Sequence, residues 1–353
     1  MKLENLRKQI DNLDQSIIRL LSERAKIIVN VAKVKIKEGK SIYSPDRERE
    51  VLNKIQALNN GPLTNDGLVA IYREIMSSSL ALEKPLKIAY LGPEASFTHL
   101  AAMKRFGSQV EYVAVETITD VFLEVERGWA DYGVVPIENS FEGVINHTLD
   151  MFMDSELKIC SQITLDVTHN LLGRFAKDKI KRVYSKAEVF GQCRLWLKEN
   201  LPKAVQTEVS STTRGAQLAA KEKDCACIGS SLAARVYKLR VIESDIEDSP
   251  HNITRFLVIG RTEAGKTGHD RTSIMFSIKD KVGALHEMLM PFKKYRINLT
   301  KIESRPSKKK AWDYYFFVDL EGHVIDPFVK KALRELDTKC KFMKVLGSYP
   351  VGA

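Results

Sequence analysis

Residues 3–38 contain neither proline nor glycine, and Leu3, Leu6, Ile10, Leu13, Ile17, Leu20, Leu21, Ile27, Ile28, Val31 and Val34 recur along them, mostly at three- and four-residue steps. That pattern predicts one amphipathic helix, closed by Gly39. At 1.5 Å per residue it is roughly 50 Å long. A second helix is expected from Pro45 to about Leu58 and a third from about Asn65 to Leu82, with Pro62 between them and Pro85 after the third. Two such short helices cannot cover the long stripe, so the sequence predicts an intertwined dimer of three-helix domains over residues 1–84.

The pattern changes at Leu86. Short apolar runs alternate with helical ones: strands at Lys87–Gly92, Val110–Val115, Tyr132–Val135, Ile159–Thr168, Cys225–Ile228 and Arg255–Gly260. Helices are expected at His99–Phe106, Thr119–Arg127, Val189–Glu199 and Thr213–Glu222. This alternation predicts an α/β domain over 86–262 with a largely parallel sheet, long enough for two lobes. Glu263–Asp270 reads as a polar linker. Strands at Thr272–Ile278, Asn298–Ser304, Tyr314–Leu320 and Cys340–Ser348, with helices at Ala284–Lys294 and Pro327–Leu336, give a βαββαβ order over 271–350. That order is the α+β, ferredoxin-like arrangement.

Composition excludes several classes. With 44% hydrophobic and 28% charged residues the chain is not disordered. No run reaches the roughly 18 apolar residues of a membrane helix, and the first residues lack the apolar core of a signal peptide. Cys160, Cys193, Cys225, Cys227 and Cys340 follow no zinc or CxxC spacing. A reduced, cytoplasmic chain without disulfides, metal or cofactor is expected. The net charge of +10 is concentrated at the ends, and Lys308–Lys309–Lys310, its only dense cluster, reads as a solvated loop. Neither nucleic acid nor a membrane is expected as a partner.

On the long helix Arg24 and Lys35 are eleven positions apart, which returns them to within about 20° of one face and separates them by roughly 16 Å. Two such cations can grip opposite ends of a small dianion. Arg7 is roughly 25 Å from Arg24 and reaches the same ligand only across an antiparallel dimer. No nucleophile accompanies these cations.

Leu6–Asp11, Ser22–Arg24, Lys33–Lys35, Asp46–Glu50 and Glu74–Glu83 resemble the all-helical chorismate mutases. The resemblance implies a pericyclic rearrangement of chorismate to prephenate, which needs compaction and charge stabilisation rather than covalent catalysis. It implies that Arg24 and the partner subunit's Arg7 hold the carboxylates with Arg49 assisting, that Lys35 donates to the ether oxygen, that Asp46 accepts the ring hydroxyl, and that Ser79 lies close by. Glu83 stands where family members carry Gln or Glu, and a carboxyl facing the ether oxygen must be protonated to help.

Gly92–His99, Pro136–Gly143, His169–Leu172, Ser211–Ala216 and Thr254–Arg255–Phe256 resemble, in that order, the prephenate dehydratases. The family folds as two lobes around a cleft, like periplasmic binding proteins, and eliminates carboxylate and hydroxyl from prephenate. The resemblance points to Thr254 near the departing hydroxyl, to Arg255 for electrostatic stabilisation, and to Asn139, Ser140, Ser211, Thr212 and Gln217 as substrate contacts. His99 and His169 read as structural.

Gly283–Ala284–Leu285–His286 with Asn298–Leu299 and Glu303–Ser304–Arg305 resemble an ACT regulatory domain. These residues are the implied phenylalanine contacts. Taken whole, the chain resembles the bifunctional chorismate mutase–prephenate dehydratases of phenylalanine biosynthesis, as a homodimer or homotetramer. A non-catalytic amino-acid sensor is the rival reading. It needs neither Lys35 nor Thr254, but it needs an output element, and no helix-turn-helix is evident.

Overall fold

The computed structural model describes residues 3–278, 282–306 and 314–351; the lysine cluster at 308–310 lies outside them. Two compact units emerge: Met1–Leu86 with Phe106–Glu111, and Lys87–Arg105 with Tyr112–Ala353.

The first unit holds α1 (Leu3–Lys37), α2 (Pro45–Leu58) and α3 (Asn65–Glu83). Pro45 sits in the first turn of α2, where its missing N–H costs nothing. Thr64 caps α3 by accepting from Gly67 N. Of α1 only Ala32 is buried. Ile10, Leu13, Ile17 and Ile18 are 53–65% exposed, so the apolar stripe has no cover within one chain. The turn after Phe106 braces α3. Gln109 N donates to Ser77 Oγ at 3.0 Å, and Ser108 Oγ to Glu74 at 2.6 Å. Gly107, at φ +72°, passes so close that a Cβ would lie 2.4 Å from that of Ser77.

The second unit begins with a two-lobed α/β body. Its first sheet has the order Glu111–Val115, Lys87–Leu91, Tyr132–Asn139, Ile253–Gly260, Lys158–Asp166, with Gly143–Val144 paired to Tyr132–Asn139. Its second has the order Arg240–Glu243, Asn170–Gly173, Cys225–Gly229, Arg182–Ser185, Val205–Glu208. The chain therefore crosses between lobes twice, near 167–169 and again before Ile253. The sheets are mixed rather than largely parallel. The returning strand Ile253–Gly260 inserts antiparallel between Tyr132–Asn139 and Lys158–Asp166. The expected helix Val189–Glu199 is broken into Ala187–Gln192 and Arg194–Asn200. The Asp248 carboxylate accepts from Leu195 N and Trp196 N and so caps the second piece.

The last sheet has the order Leu299–Pro306, Tyr314–Glu321, Asp270–Ser277, Phe342–Pro350 and carries helices Ala284–Lys294 and Pro327–Asp337. This is the ferredoxin-like arrangement expected. It shares a core with the first lobe, in which Met275, Phe317, Leu346 and Tyr349 pack with Ile137, Leu149, Phe152 and Leu257. Gly347 lies against the Ile159 backbone, where a Cβ would be 2.3 Å from the carbonyl oxygen. Among the described residues no helix is long and apolar enough to cross a membrane.

Candidate functional site

The three helices of the first unit enclose a cleft of about 570 Å³. Arg24 and Lys35 project into it from α1, and Ser79 and Glu83, one turn apart, from α3. Arg24 donates to Ser79 Oγ at 2.5 Å. Lys35 Nζ donates to Glu83 at 2.9 Å and to the Ile42 carbonyl at 2.7 Å, which leaves one of its three N–H bonds for a ligand. Ile27, Ile28, Val31, Val51, Met76 and Leu80 supply apolar walls. The cleft thus sets the cations Arg24, Lys35 and Arg47 and the carboxyl groups of Glu23, Glu48 and Glu83 among apolar walls.

On α2 the structure corrects the sequence reading. Asp46 and Arg49 do not line the cleft; Ser44, Arg47, Glu48 and Val51 do. These recur at three- and four-residue steps and share a helix face that Asp46 and Arg49 flank. Arg7, seventeen positions before Arg24, does not line the cleft of its own chain.

In the second unit a cleft of about 450 Å³ is lined by Gly92, Pro93, Val115 and Glu116 of the first lobe and by Ser210, Ser211, Arg214 and Gln217 of the second. Ser211 caps helix Thr212–Lys221 by accepting from Arg214 N. The helix N-terminus and the Arg214 guanidinium make this wall attractive to a carboxylate. Arg214, held by Gln217 Oε1 at 3.1 Å, is not among the residues the sequence singles out, although it lies within the Ser211–Ala216 segment. Thr212 does not line this cleft.

Asn139 and Thr254 lie outside that lining, as a cross-strand pair between the two central strands. Asn139 Nδ2 donates to Thr254 Oγ1 at 2.7 Å. Ser140 fastens the strand ends: its hydroxyl donates to the His251 carbonyl at 2.8 Å and accepts from Ile253 N at 3.0 Å.

Arg255 requires a correction. It pairs across the strands with Glu138, one residue along from Thr254 and Asn139, and strand alternation turns this pair to the opposite face. There its guanidinium donates to Asp319 at 2.6 Å and to the Tyr349 hydroxyl at 3.2 Å, and stands 3.6 Å from Glu138. Ser273 joins Asp319 at 2.5 Å, and Lys301 joins Glu138 at 2.8 Å. Arg255 therefore fastens the last sheet to the first lobe, on the face opposite Thr254. Arg255→Met leaves Asp319 buried without its cation, and is expected to lower stability by about 3–5 kcal/mol in urea titration. Arg255→Met/Asp319→Leu is expected to regain much of that stability together with dehydratase activity, which a substrate-contacting arginine would not permit.

The segments expected to meet an effector divide in the same manner. Gly283, at φ +78°, caps helix Ala284–Lys294. Ala284 is buried, Leu285 half-buried and His286 exposed. Asn298 donates to Glu321 at 3.1 Å. Along Leu299–Pro306 burial alternates: Leu299, Lys301, Glu303 and Arg305 are half-buried, and Ser304 is exposed. Arg305, expected to touch the effector, instead pairs with Asp150 of the first lobe at 3.0 Å.

His99 and His169 are both buried, and burial holds both below the usual histidine range. His99 Nδ1 accepts from Ala95 N at 3.1 Å and the ring stacks on Tyr90, a structural role. All five cysteines are free. Burial pushes the Cys160 and Cys193 thiols up to about 12, far from a nucleophile's range.

Comparison with known families accounts for these sites together. Residues 6–84 match the model of chorismate mutase type II, residues 88–264 that of prephenate dehydratase, and residues 272–338 that of the ACT domain. A bifunctional chorismate mutase/prephenate dehydratase of Aquifex aeolicus is 49% identical over 99% of this chain and 98% of its own. The Pseudomonas aeruginosa protein of the same description is 46% identical over the same shares. A prephenate dehydratase of Arthrobacter aurescens, solved in complex with L-Phe, superposes with a TM-score of 0.70 at 32% identity, covering 75% of this chain and 90% of that one. The chain belongs to the bifunctional chorismate mutase/prephenate dehydratase family.

Proposed function

We infer that this chain converts chorismate to prephenate in its helical unit and prephenate to phenylpyruvate in its α/β unit, under feedback control by phenylalanine. The observation that carries the first step is the cleft that brings the cations Arg24, Lys35 and Arg47 together over apolar walls. The rearrangement breaks a C–O bond and forms a C–C bond within one molecule, so the site needs only to compact the substrate and meet charge growing on the ether oxygen. Arg24 grips one carboxylate, Arg47 lies along the α2 wall, and the remaining N–H of Lys35 meets the ether oxygen. The second step expels hydroxide and CO2 as the ring becomes aromatic. The Ser211–Arg214 wall anchors the side-chain carboxylate, and Thr254 donates a hydrogen bond to the departing hydroxyl.

The protein acts in the cytoplasm as a homodimer or homotetramer. A second copy covers the exposed stripe of α1, and the partner subunit's Arg7 completes each mutase cleft. Phenylalanine acts through the last sheet. Purified protein given chorismate alone should produce phenylpyruvate, followed by its ultraviolet absorbance; accumulation of neither prephenate nor phenylpyruvate would favour the sensor reading.

A further inference from the structure

We propose that Asn252, Gln192 and His169 are positioning residues for the dehydration step, acting through Asn139 to keep the Thr254 hydroxyl a donor toward the substrate. This rests on the assignment of Thr254 to the departing hydroxyl. The argument begins at two backbone amides. Phe141 N and Glu142 N both donate to Asn139 Oδ1, at 2.9 and 3.0 Å. Only the carbonyl end of the amide can accept them, so the orientation of Asn139 is fixed by the network. Its two Nδ2 protons then go to Asn252 Oδ1 and to Thr254 Oγ1, each at 2.7 Å. Thr254 is thereby made an acceptor on the protein side, and its own proton meets no acceptor among the described residues.

The same logic passes along the chain of amides. With its oxygen engaged, Asn252 turns Nδ2 to Gln192 at 3.0 Å, so Gln192 must present its oxygen. That oxygen also takes the proton of His169 Nε2, at 2.6 Å. This fixes the tautomer of His169, and burial keeps the ring neutral. Its Nδ1 is buried without a hydrogen bond, and the chain ends there. Asn252 and His169 are both buried, at 4% and 1% exposure, and Asn252 spends its oxygen on Asn139 and its amide on Gln192. His169 lies on the outward crossing between the lobes, Asn252 on the return crossing, and Gln192 ends a helix of the second lobe. One directional chain thus joins both crossings to one hydroxyl.

The link at position 252 is an acceptor for Asn139 and a donor to Gln192; Asp supplies only the first and Leu neither. The test is steady-state dehydratase kinetics on prephenate for the full chain, with thermal unfolding of each variant. Asn252→Leu should lower kcat by about 10–100-fold, the usual scale for a misaligned catalytic group, with KM within about threefold. Asn252→Asp, which keeps the acceptor for Asn139 but loses the donor to Gln192, should fall between Asn252→Leu and the parent. Equal losses in both variants, an effect confined to KM, or an unaffected Asn252→Leu would overturn the proposal. If Asn252→Leu does not fold, Gln192→Leu against Gln192→Glu makes the same comparison one link further out, since only the acceptor oxygen of Gln192 is used. Thr254→Val is measured alongside. If it retains kcat, the Thr254 assignment itself fails; if it loses kcat while the relay variants do not, only the relay fails.

Discussion

Thr254→Val is expected to lower dehydratase kcat by about 10²–10³-fold, the loss seen when one hydrogen-bond donor to developing negative charge is removed. Valine matches threonine in shape, so the packing of a residue that is 7% exposed is nearly kept. What is lost is the one Thr254 proton, which meets no acceptor among the described residues. The Asn139 amide also loses its acceptor, a buried polar cost that lowers stability by about 1–3 kcal/mol. Mutase turnover should stay unchanged, because Thr254 lies in the second unit and the Arg24–Lys35 cleft in the first. Prephenate should therefore accumulate when the variant is given chorismate. The measurement is the pair of rates on one preparation: chorismate consumption and phenylpyruvate formation. Near-normal phenylpyruvate formation would remove Thr254 from the reaction.

How far the sequence carried this reading depended on the length of the pattern involved. The long helix was legible because a run free of glycine and proline leaves few alternatives, and its exposed stripe was implied by its own length. The strand through Tyr132–Val135 was read as ending at Pro136, yet it runs to Asn139. A register shift between Arg255 and Phe256, opposite Pro136, accommodates the missing N–H. Strands such as Arg182–Ser185 and Arg240–Glu243 span four residues each, too short for a period to declare itself.

The candidate sites were legible as neighbourhoods but not as faces. Asp46 and Arg49 were chosen from a charged run whose phase on α2 the motif does not state; Ser44 and Val51, three steps before Arg47 and three after Glu48, give that phase. Arg255 was grouped with Thr254 because they adjoin, although the two-residue period of a strand already separates them. Arg305 shares a strand face with Lys301, and both serve the first lobe through Asp150 and Glu138. The strand that the resemblance marks for the effector is thus tied to the residue preceding Asn139. Asn252 and Gln192 carried no local signal, since their role arises where two chain crossings meet.

The mutase cleft yields the other large effect. Arg7→Ala and Arg24→Ala chains should each be nearly inactive alone, with kcat/KM down by at least about 10²-fold, because each leaves a substrate carboxylate without its charge partner in a desolvated site. Mixed after co-refolding, the two should recover activity. If the clefts are shared across a two-fold axis, each heterodimer holds one site built from Arg24 of the Arg7→Ala chain and Arg7 of the Arg24→Ala chain, and one site lacking both. Random pairing then restores about a quarter of the wild-type activity. The structural ground is twofold. Arg7 is absent from the cleft that holds Arg24, Lys35, Ser79 and Glu83. The helix connecting them exposes Ile10, Leu13, Ile17 and Ile18 along the intervening turns, apolar surface that an antiparallel second copy of α1 would bury while carrying its Arg7 toward the first copy's Arg24. Differently tagged chains allow the heterodimer to be isolated by tandem affinity purification and assayed on chorismate directly. Isolated heterodimer without mutase activity would show that each cleft is complete within one chain or draws its second cation from elsewhere on the helix.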